Sequence, residues 1–242
     1  MTSIDELTRA LGQTPALDAR LRMIAAADPG TLVFTTSFGL EDQVLLDAIV
    51  RAQLEVRLVT LDTGRLFGET IDLWAETERH YDVRIAAVSP VAAEVEALVA
   101  GDGPLGFRES MAARHGCCEV RKVRPLARAL EGAGGWLTGL RADQSGARAD
   151  VPFAARDPRG LIKFAPLADW SRADCEAYAR THAVPLNPLH ARGFPSIGCA
   201  PCTRAILPGE DERAGRWWWE REVSRECGLH VDAAGRLVRA HA

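Results

Sequence analysis

Four of the six cysteines stand in two closely spaced pairs. Cys117 and Cys118 are adjacent, and Cys199 and Cys202 form a Cys-x-x-Cys motif much later in the chain. Four thiolates arranged in this way can bind zinc or an iron–sulfur cluster. Structural zinc sites usually separate paired ligands by two to four residues, whereas neighbouring side chains can each reach a different iron of a cluster. The spacing therefore favours a [4Fe-4S] cluster, with zinc as the alternative.

Basic residues surround the adjacent cysteines, as an anionic cluster requires. They are Arg114, Arg121, Lys122, Arg124 and Arg128. On a helix, Lys122 lies four residues from Cys118 and shares its face. An ammonium group there could approach both a cluster sulfur and a substrate phosphate. The alternative is a solvated basic helix with two buried thiols.

Cys227 is the candidate nucleophile, because it is unpaired and lies beside a glycine in the segment SRECGLHVD. A thiolate is the reactive form, and nearby cations lower the pKa of a thiol. Arg225 and His230 are close in sequence and would lower that pKa, whereas Glu226 would raise it. The alternative is a cysteine with no role. Cys175 lies inside a predicted helix and is interpreted as a half-buried structural thiol.

Three predicted strands end in turns that could receive an anion or a nucleotide. The turns lie in TTSFGLED, LDTGRLFGET and LTGLRADQSGAR and contribute Ser37, Thr63 and Arg141. In open α/β sheets, ligands bind at the carboxyl ends of strands. The segment EDERAGRWWWE adds Arg213 and Arg216, whose spacing predicts a shared helix face. Their planar guanidinium groups suit phosphate and sulfate.

The alternation of apolar segments predicts a doubly wound, mostly parallel α/β sheet. Strands are expected at 31–38, 55–62, 83–90, 134–140 and 161–167, and helices at 40–52, 67–81, 91–100, within 107–131 and at 171–183. A further helix begins after Ser3. From Asn187 onward, prolines and glycines predict an irregular, cysteine-bearing region. We expect one domain over 1–225 and a mobile tail over 226–242.

Charge and hydropathy exclude several protein classes. The net charge is −4, whereas a general nucleic-acid binder is usually basic. No apolar segment is long enough to span a membrane, and the N-terminus does not have the pattern of a secretory signal. We therefore expect a cytoplasmic protein that binds neither nucleic acid nor membrane.

Taken together, the motifs SFGLED, LDTGRLFGET, HGCCEVRKVRPL, LTGLRADQS, GRWWWE and ECGLH resemble a known enzyme family. The chain resembles the iron–sulfur branch of the adenylyl-sulfate (APS) and phosphoadenylyl-sulfate (PAPS) reductases. The resemblance extends from about Thr35 to His230. It departs from the family at Leu40 and Phe67, which do not touch the chemistry. The implied fold is the adenine-nucleotide α-hydrolase-like sheet.

The resemblance also implies roles for individual residues. Cys117, Cys118, Cys199 and Cys202 match the cluster ligands, and Cys227 matches the nucleophile of the C-terminal tail. The positions that match sulfate and phosphate contacts are Lys122, Arg213, Arg216 and His230. The segments that hold the nucleotide include Ser37, Leu61, Thr63 and Arg141.

The implied reaction is the reduction of APS to sulfite and AMP in sulfate assimilation. Cys227 would attack the substrate sulfur, forming an S-sulfocysteine that reduced thioredoxin then resolves. The chain shows no fused redoxin domain after Cys227, so the reductant is expected to be a separate protein. The alternatives are PAPS reduction, an ATP pyrophosphatase on the same fold, and an iron–sulfur or zinc regulatory protein. The sequence leaves open whether the chain forms a homo-oligomer.

Overall fold

The computed structural model describes residues 3–144, 150–157 and 159–220. Its centre is a six-stranded sheet in the order β3-β2-β1-β4-β6-β5. The strands are β1 (Leu32–Thr36), β2 (Arg57–Leu61), β3 (Ala86–Val88), β4 (Gly135–Leu137), β5 (Ala154–Arg156) and β6 (Ile162–Phe164). All neighbours pair in parallel except β5 and β6. The mostly parallel sheet is therefore confirmed.

Helices cover both faces of this sheet. They are α1 (Ile4–Gly12), α2 (Leu17–Ala26), α3 (Leu40–Arg51), α4 (Gly68–Tyr81), α5 (Ala92–Asp102), α6 (Met111–Cys118), α7 (Arg124–Ala129) and α8 (Arg172–His182). Side chains alternate across β1, so that Phe34 packs in one core cluster and Val33 in another. The first cluster includes Leu45 of α3, and the second includes Leu126 of α7. The doubly wound arrangement is therefore confirmed.

Local capping explains where two predicted helices begin. The Ser3 hydroxyl accepts a hydrogen bond from the Glu6 backbone, and the Glu6 carboxylate accepts one from Ser3 N–H. Ser171 and Asp174 form the same reciprocal pair at the start of α8. Both helix starts are confirmed.

The structure corrects the sequence-based description of the elements in several places. β5 was not predicted, because three residues at a sheet edge carry too little periodicity to be recognised. The strands predicted at 83–90, 134–140 and 161–167 shorten to β3, β4 and β6. Cys175 is fully buried in α8 rather than half-buried, since it packs among the core residues of the first cluster.

No helix in the described part of the chain has the length and apolar character that a bilayer span requires.

Candidate active site

A cavity of about 220 Å³ opens where β1, β2 and β4 end. Strand order reverses between β1 and β4, and such a switch point leaves a crevice beyond the strand ends. Ser37 follows β1, Leu61 ends β2, and Thr63 follows it closely; all three line the cavity. The structure therefore brings these residues together, and their contact with a nucleotide stays a prediction.

The turn between β1 and α3 is held by Asp42. Its Oδ2 atom accepts hydrogen bonds from the backbone N–H of Ser37 at 2.6 Å and from the Ser37 hydroxyl at 2.7 Å. Phe38 adopts a left-handed φ of 59°, and its ring is buried against Trp74. Gly139 lies so close that an added Cβ would be 2.5 Å from Asp42 Oδ1. The turn is thus packed tightly against the end of β4, with the N-terminus of α3 directed at the cavity.

Among the described residues, three cations line the cavity: Lys122, Arg213 and Arg216. The two arginines do not share a helix face, so that prediction was wrong. Residues 211–220 form turns, and Arg216 pairs with Thr203 in an isolated antiparallel bridge. Gly215 directly faces Arg204 O, and Trp217 is buried at a left-handed φ of 44°. These contacts stabilise an irregular backbone conformation that is incompatible with a helix.

The four paired cysteines line a second, smaller cavity beside the first. Cys117 and Cys118 come from α6, whereas Cys199 directly precedes a short 3₁₀ turn, Ala200–Cys202, that ends with Cys202. The other lining residues are Arg65, Phe107, Arg114, Arg121, Lys122, Arg216 and Trp217. Lys122, Cys199 and Arg216 line both cavities. The cysteine group and the cavity at the strand ends are therefore parts of one continuous site.

A π-helical turn, Glu119–Val123, connects α6 to α7 and carries Lys122. Lys122 was predicted to lie one ordinary helical turn from Cys118. The π-helical turn is wider than the α-helical turn that was predicted, yet Cys117 and Cys118 still line the same cavity as Lys122. Single π turns inside α-helices recur at functional sites, because they redirect side chains without ending the helix.

The surroundings of the thiols differ. Burial raises the pKa of Cys117, and burial raises the pKa of Cys202 to about 11. Burial also acts to raise the pKa of Cys199, but Lys122, a hydrogen bond with Thr63 and Arg216 outweigh it and lower that pKa. Thr63 Oγ1 lies 3.3 Å from Cys199 Sγ. The protein itself therefore favours the charged form of Cys199.

Several buried donors around the cysteine cavity have no hydrogen-bond acceptor among the described residues. They are Arg65 Nη1, Arg121 Nε, Arg216 Nε and Trp217 Nε1. A buried donor without an acceptor costs free energy. The cavity therefore fits an anionic group with several acceptor atoms, such as a cluster of iron and sulfide. Within the described ranges, no three His, Cys, Asp or Glu side chains are grouped closely enough to hold a single metal ion.

Arg141 lies behind the cavity rather than on its surface. The residue is fully buried and is absent from the described residues that line the cavity. Its Nε donates to Glu41 Oε1 at 2.8 Å, and Nη1 lies 3.3 Å from Asp143 Oδ2. Nη2 reaches Glu212 Oε2 at 3.5 Å. A direct contact between Arg141 and the nucleotide stays a prediction, whereas its three carboxylate partners are observed.

Sequence reasoning missed some residues of the site. Gly198 approaches Arg216 closely, and Trp136 lines the cavity while its Nε1 donates to Thr35 Oγ1 at 2.9 Å. The only feature of the sequence that could have marked Gly198 was its position directly before Cys199. Cys227 and His230 lie outside the described residues, as does the predicted boundary between 225 and 226.

Comparison with known proteins identifies the family. Residues 31–205 match the phosphoadenosine phosphosulfate reductase domain. The chain belongs to this family. It is 57% identical to the adenosine 5'-phosphosulfate reductase of Sinorhizobium fredii (strain USDA 257), covering 92% of this chain and 89% of that one. It is 44% identical to the protein of the same name from Neisseria meningitidis, covering 90% of each chain.

Solved structures share this fold. The phosphoadenylyl-sulfate reductase of Candida auris, in a phosphate complex, superposes with a TM-score of 0.71 at 29% identity. The match covers 85% of this chain and 98% of that one. Yeast FAD synthetase superposes with a TM-score of 0.54 at 16% identity, covering 85% of this chain and 69% of that one. The predicted adenine-nucleotide α-hydrolase-like fold is confirmed.

Proposed function

We propose that this chain reduces adenosine 5'-phosphosulfate (APS) to sulfite and AMP in assimilatory sulfate reduction. One observation supports it best: Lys122, Cys199 and Arg216 line both the cavity at the strand ends and the cysteine cavity. A nucleotide in the first cavity would therefore direct its anionic end toward the cysteines. Relatives at 44% to 57% identity are named for this reduction.

The charges that line the cavity favour APS over PAPS. Among the described residues, its cations are Lys122, Arg213 and Arg216, and two of these also face the cysteines. Glu41 and Asp42 add negative charge to the same cavity. A further phosphate brings about two more negative charges. The phosphate and sulfate of APS already match the available cations, whereas the extra phosphate of PAPS would have no matching cation in this set.

The residues that would hold a [4Fe-4S] cluster are Cys117, Cys118, Cys199 and Cys202. The buried donors of Arg65, Arg121, Arg216 and Trp217 fit its sulfur atoms as acceptors. When bound, the cluster would supply a fixed anionic group that orients Lys122 and Arg216 beside the substrate. We assign it no electron-transfer role, because the reaction proposed here is two-electron thiol chemistry.

Cys227 is the cysteine left for the attack on substrate. Four others line the cysteine cavity, and Cys175 is fully buried, which raises the pKa of its thiol to about 12. The Cys227 thiolate would form a bond to the substrate sulfur while the bond from sulfur to the bridging oxygen breaks. AMP leaves with that electron pair, and Cys227 carries the S-sulfonate. Lys122, Arg213, Arg216 and His230 would stabilise the anionic oxygens.

A reduced dithiol protein of the thioredoxin type would complete the cycle. One of its thiolates attacks Cys227 Sγ, and sulfite leaves with the electron pair of the sulfur–sulfur bond. Its second thiol resolves the mixed disulfide, restores Cys227 and leaves the dithiol protein oxidised. The tail over 226–242 would first approach the substrate and then present the adduct. A reducing cytoplasm suits this chemistry, because thiols stay reduced there.

The proposal predicts a covalent adduct in a single turnover. Anaerobically purified protein is mixed with radiosulfur-labelled APS without reductant and separated under non-reducing conditions. Label is expected on the protein and should leave as sulfite when reduced thioredoxin is added. Absence of label, in protein that retains iron and sulfide, would contradict the proposal. Labelled PAPS serves as the second substrate, and preferential labelling by it would support the alternative.

Replacing Gly198 with alanine is expected to displace Arg216 without unfolding the protein. The added Cβ would lie 2.5 Å from Arg216 Cζ, and the end of a flexible side chain moves more easily than backbone. We expect kcat/KM for APS to fall by about tenfold or more, since a charge-assisted contact is lost. Steady-state sulfite formation measures this change.

Gly68→Ala is the matched control, because among the described residues no atom outside its own stretch of helix lies within 4 Å of the added Cβ. It should retain both activity and stability. Unchanged activity in Gly198→Ala would show that Arg216 does not act on the substrate.

A further inference from the structure

A chain of charged side chains connects the turn between β1 and α3 to the segment that carries Arg213. It extends through Glu41, Arg141, Glu212, Arg172 and Glu176. Glu212 stands at its centre: Oε1 accepts from Arg172 Nη1 at 2.8 Å, and Oε2 lies 3.5 Å from Arg141 Nη2. One carboxylate therefore joins the loop after β4 to the first residue of α8.

The two arginines that hold Glu212 are themselves fixed. Arg141 is fully buried, and Glu41 Oε1 lies within 2.8 Å of its Nε and 2.7 Å of its Nη2. Arg172 Nε donates to Glu176 Oε1 at 2.9 Å, and its Nη1 also reaches Pro195 O at 3.3 Å. Arg172 lies in α8, and Arg141 is buried and paired with Glu41 of α3, so Glu212 is held at a defined point beside the cavity.

The segment around Glu212 has little regular structure of its own. Residues 211–220 form turns, with Asp211 Oδ1 accepting from Arg213 N–H at 2.8 Å. The isolated bridge between Thr203 and Arg216 fixes the segment on the C-terminal side of Arg213. Glu212 anchors the segment on the N-terminal side, directly before Arg213. Arg213 lines the cavity, so its position depends on where Glu212 is held.

We propose that Glu212 is a positioning residue that holds Arg213 at the substrate and that Arg141 acts through Glu41 and Glu212. This inference rests on the proposed function, because Arg213 is taken to bind the anionic end of APS. The guanidinium of Arg141 is paired with the carboxylates of Glu41, Asp143 and Glu212. Its effect on catalysis is therefore indirect: it fixes Glu41 at the turn and Glu212 beside Arg213.

A double-mutant cycle on APS reduction tests this role. Glu212→Gln keeps the side-chain size and removes the charge, and Arg213→Gln removes the group that it positions. Each single variant is expected to lower kcat/KM for APS by about tenfold or more. The double variant is expected to be no worse than Arg213→Gln alone, because Glu212 has no effect once Arg213 is absent. If the role of Glu212 were purely structural, kcat/KM of the double variant would instead fall by the product of the two single losses.

Glu210→Gln is the matched control in the same segment. Its carboxylate pairs with Arg204 at 2.9 Å rather than with Arg141 or Arg172, so the variant should retain activity. If Glu212→Gln does not fold by circular dichroism, Glu212→Asp replaces it in the cycle, since the shorter side chain no longer spans both arginines.

The outcomes separate the inference from the proposed function. Failure of the wild-type protein to form sulfite from APS would contradict the function itself. An active wild type with an unaffected Glu212 variant, or with multiplying losses in the cycle, would overturn only the positioning role.

Discussion

Replacement of Cys227 by serine is expected to abolish sulfite formation while leaving the fold and the metal content unchanged. A serine hydroxyl is not ionised near neutral pH, so it does not replace a thiolate as nucleophile. We expect the rate of sulfite release to fall by about 10³-fold or more, as for removal of other covalent nucleophiles. Turnover is measured anaerobically with APS and a reduced dithiol protein, and iron and sulfide are determined on the same sample.

The cysteine at position 175 provides the control for this substitution. Cys175 is fully buried in α8, so its thiol does not reach substrate. Cys175→Ala should retain turnover and lose about 1 kcal/mol of stability, because it removes one buried atom from the core. Sulfite formation at the wild-type rate by Cys227→Ser would contradict the S-sulfocysteine route, whatever the behaviour of the control.

The order and type of most elements could be predicted from local periodicity. The alternation of Val33 and Phe34 across β1 reflects a strand buried on both faces, and Ser171 with Asp174 marks the start of α8. Neither feature depends on distant residues. β5 is different: it is three residues long and pairs only with β6, so its pairing depends on the rest of the sheet.

The site was predictable where a residue type carries the chemistry by itself. The paired cysteines fall in this class, and the structure places all four around one cavity. The predicted helix at Arg213 and Arg216 failed because spacing was the only argument for it. The close approach of Gly215 to Arg204, and the burial of Trp217, determine the path of that segment. Both contacts are tertiary, so sequence spacing alone did not reveal them.

Substitution of Cys199 by serine is expected to remove the metal cofactor and with it the activity. Cys199 is the thiol whose charged form Lys122, Thr63 and Arg216 favour, and it lines both cavities. A serine hydroxyl is a poor ligand for iron. We expect loss of iron and sulfide from the purified protein and a lower melting temperature, because metal binding contributes directly to folding. Metal analysis and thermal melting measure both effects.

Loss of the cluster is expected to lower the free energy of unfolding by more than the loss of one bond between cysteine and iron would. The donors of Arg65, Arg121 and Arg216 that lack an acceptor among the described residues would remain buried beside an empty pocket. Each buried donor left without an acceptor costs about 1–3 kcal/mol. Cys175→Ala should keep its full metal content. Zinc in place of iron in the wild type would contradict the [4Fe-4S] assignment, and full iron and activity in Cys199→Ser would contradict the assigned ligand set.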